Sequence, residues 1–304
     1  MRFLLSLPLV FTSLLVHEHP RLANAAPFGS NTQVQPYPSL TLGAASSTKT
    51  FSYPDGIAVA PDGTVYVVDT DNQAVVKISA AGVVSNLASG SFAYPTGVAV
   101  APDGTLYVAD AGKHCIKQVS PAGEVSELAA HNFSYPAGIA MAADGTLYVA
   151  DAGRGENAGS IKKISAKGHL TTLASGFNKP SGVAVAANGT VYVADTDNNS
   201  IKVVSPDGAI ATLASPGLSK PHGIALDNVG TVYVADTYNH SVHKIGADGV
   251  GTTLACALKY PSGIAVAADG TVYVTDTGSS AVRKIEPSGR ILTLADAPSI
   301  TAAR

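Results

Sequence analysis

Tryptophan is absent from the 304 residues, and cysteine occurs twice, at Cys115 and Cys256. Two cysteines exclude a disulfide framework as the source of stability. Charged residues make up only 13% of the chain and the formal net charge is −3, with no run of Lys or Arg. A phosphate-neutralising surface needs a basic stripe, so nucleic acid is not an expected partner. No apolar run reaches the roughly 20 residues a helix needs to cross a bilayer, so no membrane span is expected. The longest, Phe3 to Val16, is interrupted by Pro8, preceded by Arg2 and followed by Ala23-Asn24-Ala25. That order of charge, apolar run and small residues reads as a secretory signal peptide over residues 1–26. The product is expected to be secreted or periplasmic.

What the chain has in plenty is one phrase. Tyr53 to Asp69, YPDGIAVAPDGTVYVVD, returns in five near-copies. The prolines keep time: Pro54, Pro95, Pro136, Pro180, Pro221 and Pro261, at steps of 41, 41, 44, 41 and 40 residues. A repeat of this period means a solenoid, propeller or array that shares one core. Residues 53–297 are therefore one domain. Residues 27–52 read as a linker rich in Ser, Thr, Pro, Gln and Asn, and residues 298–304 as a tail.

Each repeat holds four strand signals. In the first these are Gly56–Val59, Thr64–Val67, Val75–Ile78 and Val83–Leu87, named strands a to d below. Gly turns separate a from b and c from d. About ten residues per strand and turn leave no room for a crossover helix, so the sheets are antiparallel. Strands a and b are apolar almost throughout, which requires both faces to be covered. The Ala at the centre of every strand a suits a crowded innermost position. The fold class is all-β, a six-bladed β-propeller of four-stranded antiparallel blades. Its closure is open at this stage. Gly289 to Ala295 can be the outer strand of blade six, or Ser39 to Leu42 can take that edge and lock the termini together.

The pattern P-x-G-[IV]-A-V-x-x-[DN]-G-T-[VL]-Y-V-x-D-[TA]-x-N, as in Pro180 to Asn198, resembles the NHL repeat, and the likeness covers residues 53–297. WD repeats are excluded by the missing Trp and kelch repeats by the missing double glycine. The resemblance implies a binding module for a protein, peptide or glycan on one end of the propeller. Similar propellers form extracytoplasmic sensor domains of bacterial receptor kinases, although this chain carries no kinase. A monomer is expected.

Comparison among the six copies separates scaffold from site. Tyr66, Tyr107, Tyr148, Tyr192, Tyr233 and Tyr273 hold one position, and Asp69, Asp110, Asp151, Asp195, Asp236 and Asp276 another. Chemistry needs different groups aimed at one spot, so six identical aspartates read as acceptors for backbone N–H groups of the following loop. The tyrosines read as core between blades. What varies lies on the end carrying the P-x-G turns and the b–c loops. The x positions Asp55, Thr96, Ala137, Ser181, His222 and Ser262 should ring the channel mouth. The b–c loops add Lys113, His114, Tyr238, His240 and, on a four-residue insertion in blade three, Arg154 and Glu156. Together these make a polar cup, the candidate binding site; as ordinary loop residues they would only be solvated.

Enzymatic propellers supply the alternative, a lyase or hydrolase with His222 in the site. Amidating lyases of NHL type hold zinc with histidines from several blades, but only blade five has His after its proline. Gluconolactonase-like propellers hold a central metal with Glu, Asn and Asp, and the channel positions here offer Asp55 alone. Streptogramin lyases carry a Trp-Phe-Thr-Glu-like motif on strand b, where this chain reads Tyr-Val-Ala-Asp. No metal or other cofactor is expected, and no Ser-His-Asp arrangement is visible in the sequence. Asp195-Thr196-Asp197-Asn198 is too short for a calcium loop and reads as a hydrogen-bonded turn. Cys115 and Cys256 fall on opposite blades, too far apart for a bridge.

Overall fold

A computed structural model describes residues 40–41, 51–129, 132–214, 217–246 and 249–296. The expected signal peptide over residues 1–26, most of the expected linker and the expected tail lie outside them. Blade one comprises Pro54–Val59, Val65–Asp69, Ala74–Ile78 and Val84–Ser89, strands a to d from the axis outward. Blades two to six repeat this order, from Pro95–Val100, Pro136–Met141, Pro180–Val185, Pro221–Leu226 and Pro261–Val266 as innermost strands. Strands a to d pair antiparallel in every blade. The structure is the six-bladed β-propeller that the repeat predicts.

The local chemistry explains each turn. At Ala60 to Thr64, Gly63 takes φ +80°, its N–H bonds Ala60 O at 2.9 Å, and Asp62 Oδ1 accepts the Thr64 N–H at 2.9 Å. The last of these bonds holds the Asp62 carboxyl below its ordinary range. The same Asp-to-Thr bond recurs in blades two, three and six.

Burial follows the all-round apolar pattern. Tyr66, Val68 and Val75 of blade one pack against Val98, Leu106 and Val108 of blade two. Phe51, Ile57, Val67 and Ile78 pack on Ala265, Tyr273 and Val282 of blade six, so the ring closes through a core equivalent to the rest. Each fully buried Val or Ile contributes about 1.5–3 kcal/mol of apolar burial. The repeated tyrosines are part of these seams, with Tyr66, Tyr148, Tyr233 and Tyr273 all buried.

Crowding at the axis falls on glycine rather than on the alanine of strand a. A Cβ on Gly56 would stand 2.4 Å from Thr96 O, and on Gly263 2.2 Å from Asp55 O, with Gly97, Gly138, Gly182 and Gly223 equally tight. Six glycines thus let six backbones meet, each touching the x residue of the next blade. The alanines instead fill the gaps between blades, as Ala58 does beside Val98.

The repeated aspartates are structural, and they accept backbone N–H groups from the segment before strand a as well as side chains from the loop after strand b. Asp69 accepts the Ser52 N–H at 2.7 Å, Asp236 that of Ser219 at 2.7 Å and Asp276 that of Lys259 at 2.6 Å. The reason is register: Pro54 pairs with Asp69, so the end of b lies beside the entry to a. The second carboxylate oxygen is met in two ways. Asn72 and Asn198 donate to it at 2.8 Å in blades one and four. Lys162 and Arg283 do so from strand c in blades three and six, at 2.8 and 2.9 Å. His243 is the blade-five counterpart, buried and 3.0 Å from Asp236.

Blade six accepts both terminal segments. Ile291–Asp296 is its fourth strand, and Leu40–Thr41 adds a fifth, parallel to it, pairing Leu40 with Leu292 and Thr41 with Thr293. The two segments are neighbours, not competitors for one edge.

Candidate functional site

Every strand a carries a β-bulge between its proline and the apolar run. In blade one Pro54 faces Asp69 and Ile57 faces Val67, so strand a spends one residue more than its partner. The extra residue re-aims the x side chain out of the ladder, a common device beside functional sites. Around the axis this produces a cavity of about 140 Å³ lined by Asp55, Thr96, Ala137, Ser181 and His222 with their glycines. Ser262 completes the ring of x residues through its hydrogen bonds.

Three of these residues form a connected group. The Ser262 hydroxyl donates to Asp55 Oδ1, and His222 Nδ1 lies 3.0 Å from the same hydroxyl. His222 Nδ1 is 3.8 Å from Asp55. Asp55 and Ser262 are buried, whereas 36% of the His222 side chain is exposed. A hydroxyl has one proton, and here it goes to the carboxylate. The contact to His222 then needs the imidazole to donate from Nδ1, which leaves Nε2 as an acceptor. Sequence reasoning saw no Ser-His-Asp arrangement. The ring assembles these residue types from blades six, five and one, with serine at the centre instead of histidine.

The other x residues serve the frame. Thr96 Oγ1 donates towards Pro136 O and Ala137 O, both at 3.0 Å, and Ser181 Oγ bonds Thr196 Oγ1 at 2.5 Å and His222 O at 2.9 Å.

The b–c loop residues sit apart from the cavity. Lys113, Arg154, Glu156 and Tyr238 are exposed, and none of them lines it, nor do His114 and His240. Arg154 pairs with His114 at 3.2 Å, and His240 Nδ1 accepts the Tyr260 N–H at 3.3 Å. They form a rim, not the wall of a cup. Asp197 is held by Lys179 at 2.8 Å and Lys220 at 3.0 Å, in a short 3-10 turn.

The wall is built by residues that sequence reasoning passed over, Tyr53, Tyr94 and Tyr135. They directly precede the prolines, a column that reads Tyr in blades one, two, three and six and Lys in blades four and five. That variation was the available signal. Burial raises the pKa of all three phenols, and Asp55 raises each further by its charge.

Among the described residues no three His, Cys, Asp or Glu side chains cluster as metal ligands would. At the channel mouth Asp55 is the one carboxylate, and His222 Nδ1 is committed to Ser262. The residues present do not fit the multi-ligand centre of an amidating-lyase-like or lactonase-like propeller. Cys115 and Cys256 are both free thiols.

Comparison with solved structures finds the same fold. A streptogramin B lyase matches with a TM-score of 0.63 at 18% identity, over 81% of this chain and 84% of that one. A catalytically inactive virginiamycin B lyase from Staphylococcus aureus, solved with quinupristin, gives 0.61 at 18% identity, over 85% and 88%. A gluconolactonase from Xanthomonas campestris gives 0.67 at 18% identity, over 77% and 85%. No curated protein sequence matches. The NHL repeat model matches residues 258–285, and the model of the virginiamycin B lyase family matches residues 42–245. The Trp-Phe-Thr-Glu-like motif is still absent from strand b, but a match over more than half its length shows that this chain belongs to the virginiamycin B lyase family.

Proposed function

We propose that the chain binds a small organic ligand at the mouth of its channel and that His222 acts there as a general base in an elimination. The observation that carries this reading is the Asp55–Ser262–His222 chain, which orients the imidazole and leaves Nε2 to accept a proton. In the reaction His222 takes a proton from carbon next to a carbonyl. The released electron pair forms a C=C bond, the bond to an oxygen leaving group breaks, and His222 later returns its proton to that oxygen or to water. Family membership supports a lyase, and the cavity supports a small substrate.

The test uses purified protein with quinupristin and simple lactones, followed by mass spectrometry. Turnover by the wild type should fall about 10²–10⁴-fold in His222→Ala, with an unchanged melting temperature. Turnover unaffected by that change, or no turnover at all, overturns the base assignment.

A second reading, a binding module for a protein, peptide or glycan, draws on the exposed Tyr53, Tyr94, Tyr135, Tyr238 and Tyr260. Ligand capture without turnover would favour it. Export belongs to the same proposal, and an N-terminus of the mature protein near residue 26 or 27 would support it.

A further inference from the structure

The cavity is chemically lopsided. Asp55 lies on one side, buried to 7% exposure, and Ser262 is its one hydrogen-bond donor among the described residues. Its Oδ2 accepts no hydrogen bond there. No Lys or Arg lines the cavity. The two lysines that occupy the pre-proline column, Lys179 and Lys220, are both tied to Asp197. A buried carboxylate is costly unless a charge or several donors meet it. Here a hydroxyl and a partly exposed imidazole 3.8 Å away do so incompletely.

Three phenol rings line the same cavity, Tyr53 at the entry to the Asp55 strand and Tyr94 and Tyr135 at the entries to the next two blades. Tyr94 and Tyr135 have centroids 6.4 Å apart at an interplanar angle of 51°. They do not stack flat, and Tyr53, Tyr94 and Tyr135 remain 49%, 37% and 38% exposed. Each ring feels the charge of Asp55. Aromatic walls around an unneutralised carboxylate favour a weakly hydrated cation. The rings attract it through their negative faces, and it can shed water without losing strong hydrogen bonds.

We infer that the channel mouth recognises an organic ammonium group, held between Asp55 and the rings of Tyr53, Tyr94 and Tyr135. The inference names the ligand class for the same cavity and so rests on its being a ligand site. It does not require His222 to act as a base. A substrate of this kind carries its ammonium on the Asp55 side and presents its reacting carbon to His222.

The test is titration of the purified protein with choline and with its uncharged isostere 3,3-dimethylbutan-1-ol, by calorimetry. Choline should bind at least about 10-fold more tightly. Asp55→Asn should erase most of that preference, and Tyr94→Leu should weaken choline about 5-fold while leaving the melting temperature in place. Equal binding of the two probes overturns the inference, as does binding of a neutral methyl glycoside in preference to choline. The two proposals fail separately. Choline selectivity without lactone turnover keeps the cation site and removes the base reaction. Turnover without choline selectivity does the reverse.

Discussion

The Thr277 hydroxyl donates to the carbonyl oxygen of Pro54 at 2.6 Å, across 223 residues of chain. It is the closing member of a set. Thr70 reaches Pro95 O at 2.9 Å, Thr196 reaches Pro221 O at 2.8 Å and Thr237 reaches Pro261 O at 2.8 Å. Blades two and three have Ala111 and Ala152 at this place, and Thr96 bonds Pro136 O in compensation for the first. Blade one therefore docks on blade six through the same bond that joins internal neighbours. Thr277→Val should leave the Pro54 carbonyl without this donor and destabilise the ring by about 1–2 kcal/mol. Denaturant unfolding should show the loss, and a change below about 0.3 kcal/mol would mean that water or a neighbour replaces the bond.

The glycine ring gives a harsher expectation. A methyl group on Gly263 meets the Asp55 carbonyl oxygen at 2.2 Å, and both are backbone positions at the seam. Gly263→Ala should cost about 3 kcal/mol or more, beyond ordinary overpacking. Gly82, where a Cβ would meet nothing, shows instead the cost of a left-handed φ of +82° without a clash. Gly82→Ala should be milder, and equal thermal shifts in the two variants would contradict the close-approach argument.

The two thiols should differ in reactivity. Cys115 is fully buried, and burial together with the Asp110 carboxylate pushes its thiol up to about 11. At pH 8 only about one molecule in a thousand carries that thiolate. Cys256 is half-buried. Iodoacetamide at pH 8 should modify Cys256 first in the native protein and both residues after denaturation, as read by peptide mass mapping. Raising the pH towards 11 should not expose Cys115 unless the blade opens, because access as well as ionisation limits it. Equal native rates would show that blade two opens readily.

Repeat spacing and apolar pattern were enough to specify the blades, because strands a to d of each blade bond to their neighbours in sequence and the turns between them are closed by residues a few positions apart. The same local logic marked the six aspartates as scaffold for the b–c loop, and missed the backbone donors before strand a. The pairing of Pro54 with Asp69, and with it the donor from Ser52, depends on how strands a and b align. The contents of the channel needed the ring itself. Asp55 and Ser262 stand 207 residues apart and meet only because blade one closes on blade six. Lys113, Arg154 and Tyr238 looked equally eligible in sequence, yet the bulge of strand a sends the x residues to the axis while the b–c loops stay at the rim. Sequence could determine what each blade is, since a blade is made of near neighbours. Only the tertiary structure could decide which side chains share the axis, since that depends on six-fold closure and on backbones that touch through glycine.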